Sequence, residues 1–186
     1  MVLSDHGYPL AHPRLWQKSD LFEGSVRVPM IISVPGTKQG GEKSASLVEL
    51  IDLYPTLAEI CGLAKPTHLK GKSIVSVLDD PVKTVRDAAF TVTRARGKMP
   101  SGTKGPKPLG RTIRTDRYRY TEWLAWNGSA LAPARPLRLR ASELYEHDGD
   151  EGAWTDPDVY ENVNIVATAA KPLISALSAQ LRAAFA

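Results

Sequence analysis

The alternation of apolar and polar positions predicts an α/β arrangement in the first part of the chain. Apolar residues dominate 27–36, which is typical of a strand covered on both faces of a sheet, and a Pro-Gly pair ends this run. Over 46–63 apolar residues recur every three or four positions, as in an amphipathic helix. The first three residues are also apolar and are followed by polar ones. We therefore expect a strand that ends there and continues into a loop.

This helix carries start and stop signals of its own. Ser46 and Glu49 have the spacing of a capping box, and Gly62 suits a C-terminal stop. Pro55 must kink the helix or begin a second one. The apolar stripe includes Cys61, so we expect an inert thiol in the core. The stripe comprises Leu47, Leu50, Ile51, Tyr54, Leu57, Ala58 and Cys61.

The second part of the chain predicts antiparallel strands closed by a helix. A strand is expected over 88–94 and a β-hairpin over 111–123, because strand-forming residues flank a Thr-Asp turn. An amphipathic helix is expected over 169–185, where leucines recur four positions apart. The predicted organisation is the C-terminal part of a large α/β domain over 1–85, followed by a small α+β subdomain over 86–186.

Composition narrows the class of protein. With 186 residues and 42% hydrophobic content, the chain is expected to be globular. No apolar run approaches the roughly 18 residues of a membrane span. The N-terminus has neither a basic region nor a long apolar region, so no signal peptide is expected. A single cysteine excludes an internal disulfide.

Charge is spread unevenly along the chain. Residues 86–140 carry a net charge of +10 and residues 141–186 a net charge of −6. The two stretches could neutralise each other, or the basic one could contact an anionic substrate or nucleic acid. Aromatic residues interleave with the basic ones, as stacking on nucleic acid requires, but they equally suit a sheet core. These aromatics are Tyr118, Tyr120, Trp123 and Trp126.

Two consecutive residues at the predicted strand end are candidate metal ligands. Asp5 offers a hard oxygen and His6 a nitrogen, and Gly7 permits the backbone bend that would turn both toward one ion. A hydrogen-bonded loop aspartate beside a surface histidine is the alternative. Two ligands alone do not make a calcium site, which needs about 6 to 8 oxygens.

Cations follow the candidate ligands in the same stretch. Lys18 is a compact cation suited to a sulfate or phosphate oxygen, although a solvated lysine is the plain alternative. His12 and Arg14 are further candidates for anion contact, or parts of an irregular, proline-containing surface loop.

The segment LSDHGYPLAHPRLWQKSDLFEGSVRVPMIISVPG resembles the sulfatase family, and within it the iduronate-2-sulfatase-like group. There the usual run is Ser-Asp-His-Gly-Tyr, later Trp-x-Lys, then Phe-Glu and an Arg-Val-Pro strand. VELIDLYPTLAEICGL is similar to the Asp-Leu-Tyr-Pro-Thr-Leu helix of that family. LKGKSIVSVLDDP, GRTIRTDRYRYTEW and ASELYEHDGDEGAWTDP are similar to the segments that follow. The likeness covers almost the whole chain in the right order.

This resemblance implies an alkaline-phosphatase-like α/β fold with a small C-terminal subdomain, and hydrolysis of sulfate esters. It implies a divalent cation, usually Ca²⁺, and a formylglycine nucleophile made from the cysteine of a Cys-x-Pro-Ser-Arg motif. Asp5 and His6 match the metal-ligand pair, and Lys18 matches the lysine that contacts the substrate sulfate. The expected substrate is a sulfated small molecule or glycan, which the basic stretch 94–111 also favours.

The sequence departs from the family pattern at Ala11-His12-Pro13-Arg14, and it lacks the nucleophile motif. Cys61 is not followed by x-Pro-Ser-Arg, so formylglycine is absent and we assign no catalytic residue. The chain is then a gene fragment, a mis-called start, or a subunit that needs an N-terminal sulfatase portion as partner. A non-catalytic remnant and a phosphoester hydrolase of the same superfamily are the alternatives. Family members are commonly secreted, periplasmic or lysosomal, so the compartment stays open, and we expect no nucleic-acid partner.

Overall fold

The structure is a computed structural model that describes residues 1–10, 18–37, 39–95, 106–150 and 161–185. It contains short helices, two two-stranded sheets and one four-stranded sheet. In chain order the elements are β1 (Val2–Leu3), α1 (Glu23–Val26), β2 (Met30–Ile31), a 3₁₀ helix (Leu50–Asp52), α2 (Leu53–Ile60), α3 (Val75–Asp79), β3 (Ala88–Arg94), β4 (Leu109–Thr115), β5 (Tyr118–Leu124), β6 (Trp126–Asn127), β7 (Ala132–Pro133), β8 (Leu139–Glu146) and α4 (Lys171–Ala184).

The chain forms two compact units. Unit 1 comprises residues 1–5 and 28–89, and unit 2 comprises residues 6–27 and 90–186. The stretch 6–27, which lies early in the sequence, is therefore grouped with the C-terminal half. The predicted domain boundary between residues 85 and 86 stays a prediction.

The strand predicted over 27–36 is much shorter in unit 1. Only Met30 and Ile31 are extended in a ladder, where they pair antiparallel with Leu3 and Val2. Ile31 is 64% exposed, so the prediction of a strand covered on both faces is wrong. Among the described residues β1 is the one strand that pairs with β2, and the apolar run has no second neighbour to continue the ladder.

The predicted helix 46–63 is a 3₁₀ turn followed by α2. The capping box lies one turn later than predicted, because Glu49 is the N-cap and its backbone N–H donates to Asp52 Oδ2 at 2.9 Å. Pro55 lies in the first turn of α2, where its missing N–H costs no intrahelical bond. Gly62 ends the helix as predicted, with a φ of 65°. The N–H of Gly62 donates to Glu59 O and that of Leu63 to Ala58 O, which together form a Schellman motif.

The face of this helix that the apolar spacing marked as core is largely exposed. Cys61 is exposed at the C-cap, so the prediction of a buried thiol is wrong. Ile51 is 54% and Tyr54 60% exposed, whereas Thr56 is buried. The Thr56 hydroxyl donates to Asp52 O at 2.5 Å and accepts from Ile74 N at 3.0 Å. Within unit 1 the helix is bonded through Thr56 to the 72–74 segment, and Pro55 and Ala58 are buried as well, whereas the larger apolar side chains face outward.

A buried ion pair lies at the centre of these contacts. Asp52 is fully buried and receives two hydrogen bonds from Arg86, one of them from Nε at 2.7 Å. Backbone N–H groups of Lys72 and Glu49 complete its partners. Although burial opposes the charge, these donors hold the pKa of Asp52 below its usual range. Arg86 Nη1 also lies 2.7 Å from Glu49 Oε2. One guanidinium therefore binds two carboxylates of the capping turn, although Arg86 is 34 positions from Asp52 in the sequence.

Unit 2 is built on the four-stranded sheet with strand order β3-β4-β5-β8. The predicted β-hairpin is confirmed as β4 and β5, with Asp116 and Arg117 between them and Ile113 opposite Tyr120. Strand β8 pairs antiparallel with β5, and the register shifts between Trp123 and Leu124. Strand β3 begins and ends as predicted.

Helix α4 covers β4 and β5, which confirms the predicted C-terminal amphipathic helix. Leu177 and Leu181 are buried on it, together with Ile113, Tyr120 and Leu144 of the sheet. A buried carboxylate lies beside this core. Glu122 accepts hydrogen bonds from Ser178 Oγ at 2.7 Å and from Arg182 Nη2 at 3.0 Å. Burial, and then the nearby carboxylate of Glu122, raise the pKa of Tyr120 to about 12.

Several of the basic residues in 86–140 pair with the acidic C-terminal stretch. Arg117 lies 2.6 Å from Glu146, Arg114 lies 3.3 Å from Asp150, and Arg119 bonds Glu161. This pairing favours mutual neutralisation over the nucleic-acid alternative, as does the burial of Tyr120 in the sheet core. In the part of the chain that the structure describes, no helix has the length and apolarity needed to cross a membrane.

Candidate functional site

The candidate site begins where β1 ends and the chain turns away from β2. Ser4 N–H still donates to Pro29 O at 3.3 Å, but the next bonds go elsewhere. Asp5 is exposed and is the last residue of this part of unit 1, while His6 is the first residue of unit 2. The predicted loop after the strand is therefore present, with both candidate ligands at its start.

The structure brings His6 and Lys18 together. Lys18 Nζ lies 2.7 Å from His6 Nε2, across twelve residues of sequence, and Lys18 is exposed. The other ring nitrogen, Nδ1, lies 2.8 Å from Gly7 O. An ammonium can only donate and a carbonyl can only accept, so these contacts fit the tautomer with the proton on Nδ1. In that tautomer Nε2 has a lone pair, as a metal-ligating imidazole requires.

A tight backbone contact fixes the residue after His6. Gly7 N–H donates to Ser25 O at 2.8 Å. A β-carbon on Gly7 would lie 1.9 Å from Gly24 O, so no larger residue fits without displacement. From the sequence we expect Gly7 to allow a bend, whereas in the structure Gly7 packs closely on α1.

His12 and Arg14, the other candidates for anion contact, lie outside the described residues. Most of the basic stretch 94–111 does as well, since the description resumes at residue 106. Asp148 and Asp150 belong to the predicted acidic turn, and Asp150 N–H donates to His147 O at 3.0 Å. The expected turn is therefore present in its described part.

An ionic group that no sequence motif marks includes the first residue of α1, and we call it the Glu23 cluster. Arg119 is 2% exposed, and its guanidinium donates to the carboxylates of both Glu23 and Glu161. His147 lies between Asp150 Oδ2, at 3.0 Å from Nδ1, and Glu161 Oε1, at 3.2 Å from Nε2. The cluster comprises Glu23, Arg27, Arg114, Arg119, His147, Asp150 and Glu161.

The charges in this cluster balance one another. Burial opposes the charge on Glu161, but Arg119 and His147 hold its pKa below the usual range. Burial also opposes the charge on Arg119, yet the two glutamates raise its pKa. Arg114, by contrast, has a lowered pKa, mainly because it is desolvated.

Within the described residues, three members of the cluster have ligand atoms close enough together to hold a metal ion, namely Glu23, His147 and Glu161. However, the guanidinium of Arg119 already pairs with both carboxylates, so a cation there would meet a fixed positive charge. We interpret the cluster as structural. Asp5 and His6 are not part of a ligand group of this kind in the described chain.

No sequence signal marked the cluster in advance. Its members come from α1, the β4–β5 hairpin, the turn after β8 and residue 161, and they lie up to 138 positions apart. The sequence offers only an indirect indication. Charged residues such as Arg119 lie inside a predicted strand, and a charge that is buried there requires a partner.

Comparison with known proteins identifies the family. Residues 12–125, more than half of the chain, match the family described as N-sulphoglucosamine sulphohydrolase, C-terminal. The chain belongs to this sulfatase family. Human iduronate 2-sulfatase is 27% identical over 198 aligned residues, which cover 79% of the chain and 36% of the relative. Delta 4,5-hexuronate-2-O-sulfatase of Bacteroides thetaiotaomicron is 29% identical, over 70% of the chain and 27% of the relative. Mouse arylsulfatase K is 38% identical over 41% of the chain and 14% of the relative.

Solved structures show the same fold. A protein in complex with its substrate D-glucosamine-2-N,6-O-disulfate superposes with a TM-score of 0.69 and 22% identity, over 98% of this chain and 33% of that one. A candidate sulfatase from Bacteroides thetaiotaomicron superposes with a TM-score of 0.65 and 24% identity, over 98% of this chain and 34% of that one. The expected alkaline-phosphatase-like sulfatase fold, with an antiparallel sheet and a C-terminal helix, is confirmed. The chain spans about a third of these structures and 14% to 36% of the three relatives.

Proposed function

We propose that this chain is the C-terminal portion of a sulfatase and supplies metal and sulfate contacts for hydrolysis of a sulfate ester. One observation carries the proposal. His6 Nε2, in a tautomer that can ligate a metal, lies 2.7 Å from the ammonium of Lys18. A nitrogen ligand and an anion-binding cation thus converge in a sulfatase-family chain, which is the combination that a metal-held sulfate needs.

Asp5 and His6 would hold the cation, in the role that the family resemblance gives them. They are consecutive in the chain, and the Nδ1–H to Gly7 O contact would keep the imidazole oriented with Nε2 available. They supply one carboxylate and one nitrogen, so further oxygen ligands must come from an N-terminal sulfatase portion. A bound divalent cation would polarise the sulfate oxygens.

Lys18 would bind the sulfate. Its side chain is exposed, and its contact in the described structure is the imidazole of His6. When Nε2 is engaged elsewhere, the three N–H donors of Lys18 become available for anionic oxygens. An ammonium there would stabilise the negative charge that develops as the ester oxygen leaves.

The proposed substrate is a sulfated sugar. Two relatives are named for uronate 2-sulfates, and a structural neighbour was solved with a disulfated glucosamine as its substrate. The formylglycine nucleophile would come from the partner portion, because this sequence lacks the Cys-x-Pro-Ser-Arg motif. We assign this chain binding and charge stabilisation, and no catalytic residue.

Calcium titration calorimetry on the full chain tests the metal half of the proposal. We expect weak binding, because Asp5 and His6 supply only part of a calcium coordination shell, and we expect Asp5→Ala and His6→Ala each to abolish it. His68→Ala is the matched control, since His68 is an exposed loop histidine in unit 1, and it should bind like the wild type. A chain that binds no calcium, or binds it equally in all variants, contradicts the assignment of a metal half-site to this chain.

Binding of D-glucosamine-2-N,6-O-disulfate, followed by NMR shifts, tests the sulfate half. We expect Lys18→Met to weaken binding about tenfold or more, the loss of a charge-assisted hydrogen bond. Lys70→Met, at another exposed lysine, serves as the control. Equal losses in both variants would indicate general electrostatic attraction instead of a site at Lys18.

A further inference from the structure

Both members of the His6–Lys18 pair are attached to helix α1. On the His6 side, Gly7 N–H donates to Ser25 O at 2.8 Å, and Gly7 has no room for a side chain beside Gly24. The position of the imidazole is therefore set by where α1 lies.

On the Lys18 side, Asp20 makes the attachment. Its carboxylate accepts from Phe22 N at 3.0 Å through Oδ1 and from Ser25 Oγ at 2.6 Å through Oδ2. Ser19, between Lys18 and Asp20, has a φ of 74°, in the left-handed region that a non-glycine residue adopts rarely. A bend held in that conformation needs surrounding contacts to maintain it.

Helix α1 cannot hold this arrangement alone. It has four residues, and so short a helix is not stable without tertiary contacts. Its first residue, Glu23, is the one that enters the Glu23 cluster. The backbone N–H of Glu23 donates to Glu161 Oε2 at 2.6 Å, and its side chain is bound by Arg119 and, at 3.3 Å, by Arg114.

We propose that Glu23, Arg119 and Glu161 are positioning residues for the His6–Lys18 pair, acting through helix α1. The functional importance of this role rests on the function proposed above. The hydrogen bonds that connect the three residues to α1 do not depend on it. They would act by holding α1, against which the segments that carry His6 and Lys18 are hydrogen-bonded. Hydrogen bonds of Gly7 and Asp20 to α1 connect the cluster, through four residues of helix, to the neighbours of His6 and Lys18 in the chain.

The experiment is NMR spectroscopy on the full chain at one fixed pH, with two readouts. The first is the nuclear Overhauser contact between the His6 imidazole and the Lys18 side chain. The second is the hydrogen-exchange rate of the Gly7 amide. Glu23→Gln removes the charge and keeps the shape. The matched control is Glu122→Gln, because Glu122 is also a buried glutamate bound by an arginine, but it lies beside α4 and away from α1.

We expect Glu23→Gln to abolish the His6–Lys18 contact and to accelerate Gly7 exchange about tenfold or more, as local opening of a marginal helix predicts. Glu122→Gln should lower the melting temperature similarly and leave both readouts unchanged. Persistence of both readouts in Glu23→Gln, or an equal loss in Glu122→Gln, overturns the proposal.

Arg114→Met provides a milder variant if Glu23→Gln does not fold. It removes the 3.3 Å contact to Glu23 and leaves Arg119 in place. A smaller acceleration of Gly7 exchange is expected, and an unchanged rate counts against the proposal. Neither readout depends on calcium or sulfate. Failure of the calcium titration would therefore overturn the proposed function without touching the positioning role, and the reverse also holds.

Discussion

Gly7 lies so close to Gly24 that a β-carbon on Gly7 would be 1.9 Å from the Gly24 carbonyl oxygen. Gly7→Ala must therefore push the chain after His6 away from α1. We expect a loss of about 1–3 kcal/mol in the free energy of unfolding, the range for overpacking, measured by urea denaturation. Gly40→Ala is the control, because no atom lies within 4 Å of its added β-carbon. A Gly7→Ala chain as stable as the wild type would show that this close approach is wrong.

Asp52 is the second buried position where a single change should be costly. Asp52→Ala leaves Arg86 buried without its main partner, and the expected loss is about 3–5 kcal/mol in the free energy of unfolding. Glu59→Ala removes an exposed ion pair with Lys65, whose atoms lie 3.4 Å apart, and should cost under about 1 kcal/mol. Similar losses in the two variants would contradict the burial difference between the pairs.

Acid should destabilise the chain through Asp52 and Glu161. Each has a lower pKa in the folded chain than in the unfolded one, mainly because arginines offset the cost of burial. Their stabilisation is therefore complete above the unfolded-state values of about 4 and is lost as the pH falls through the lower folded-state values. Melting temperatures at constant ionic strength should be nearly flat above about pH 5 and fall below about pH 4. An Asp52→Asn chain should fall less steeply, and stability that rises on acidification would contradict the assignment.

Cys61 should react readily in the folded chain. Its thiol is exposed at the C-cap of α2, so access does not limit modification. With an aromatic disulfide reagent, we expect native labelling within about tenfold of the rate in urea. If the thiol is labelled only in the unfolded chain, Cys61 is buried, as the apolar spacing predicted.

The exposed apolar residues of the 3₁₀ helix and α2 should make the isolated chain prone to association. Ile51, Tyr54 and Leu57 are 54%, 60% and 43% exposed. Contiguous exposed apolar surface of this kind promotes contacts between molecules. Replacing the three residues with Thr, Gln and Gln should lower binding of a hydrophobic dye and raise solubility, with little change in melting temperature. An unfolded triple variant would show that these side chains stabilise unit 1.

Elements with local signals were predictable from sequence, and those that depend on distant partners were not. The β4–β5 hairpin and α4 matched because turn residues and leucine spacing act within a few positions. The apolar spacing of α2 was visible in the sequence too, but the spacing does not show whether another element covers that face. The prediction that Cys61 is buried was therefore wrong. Lys18 was found through its motif, whereas its contact with His6, twelve positions away, is not visible in the sequence. Arg119 gave no local sign of its partners, because Glu23 and Glu161 lie 96 and 42 positions away.

The long separations within the Glu23 cluster have a consequence for how unit 2 folds. Arg119 can satisfy its charge only after α1, the hairpin and residue 161 have all come together, since each carboxylate comes from a different segment. Closing loops of this size costs entropy before any bond compensates for it, and such non-local contacts slow folding. The cluster should therefore form late and all at once, with Arg119 desolvated only when every partner is present. Unit 2 is expected to gain its polar centre in a single cooperative step.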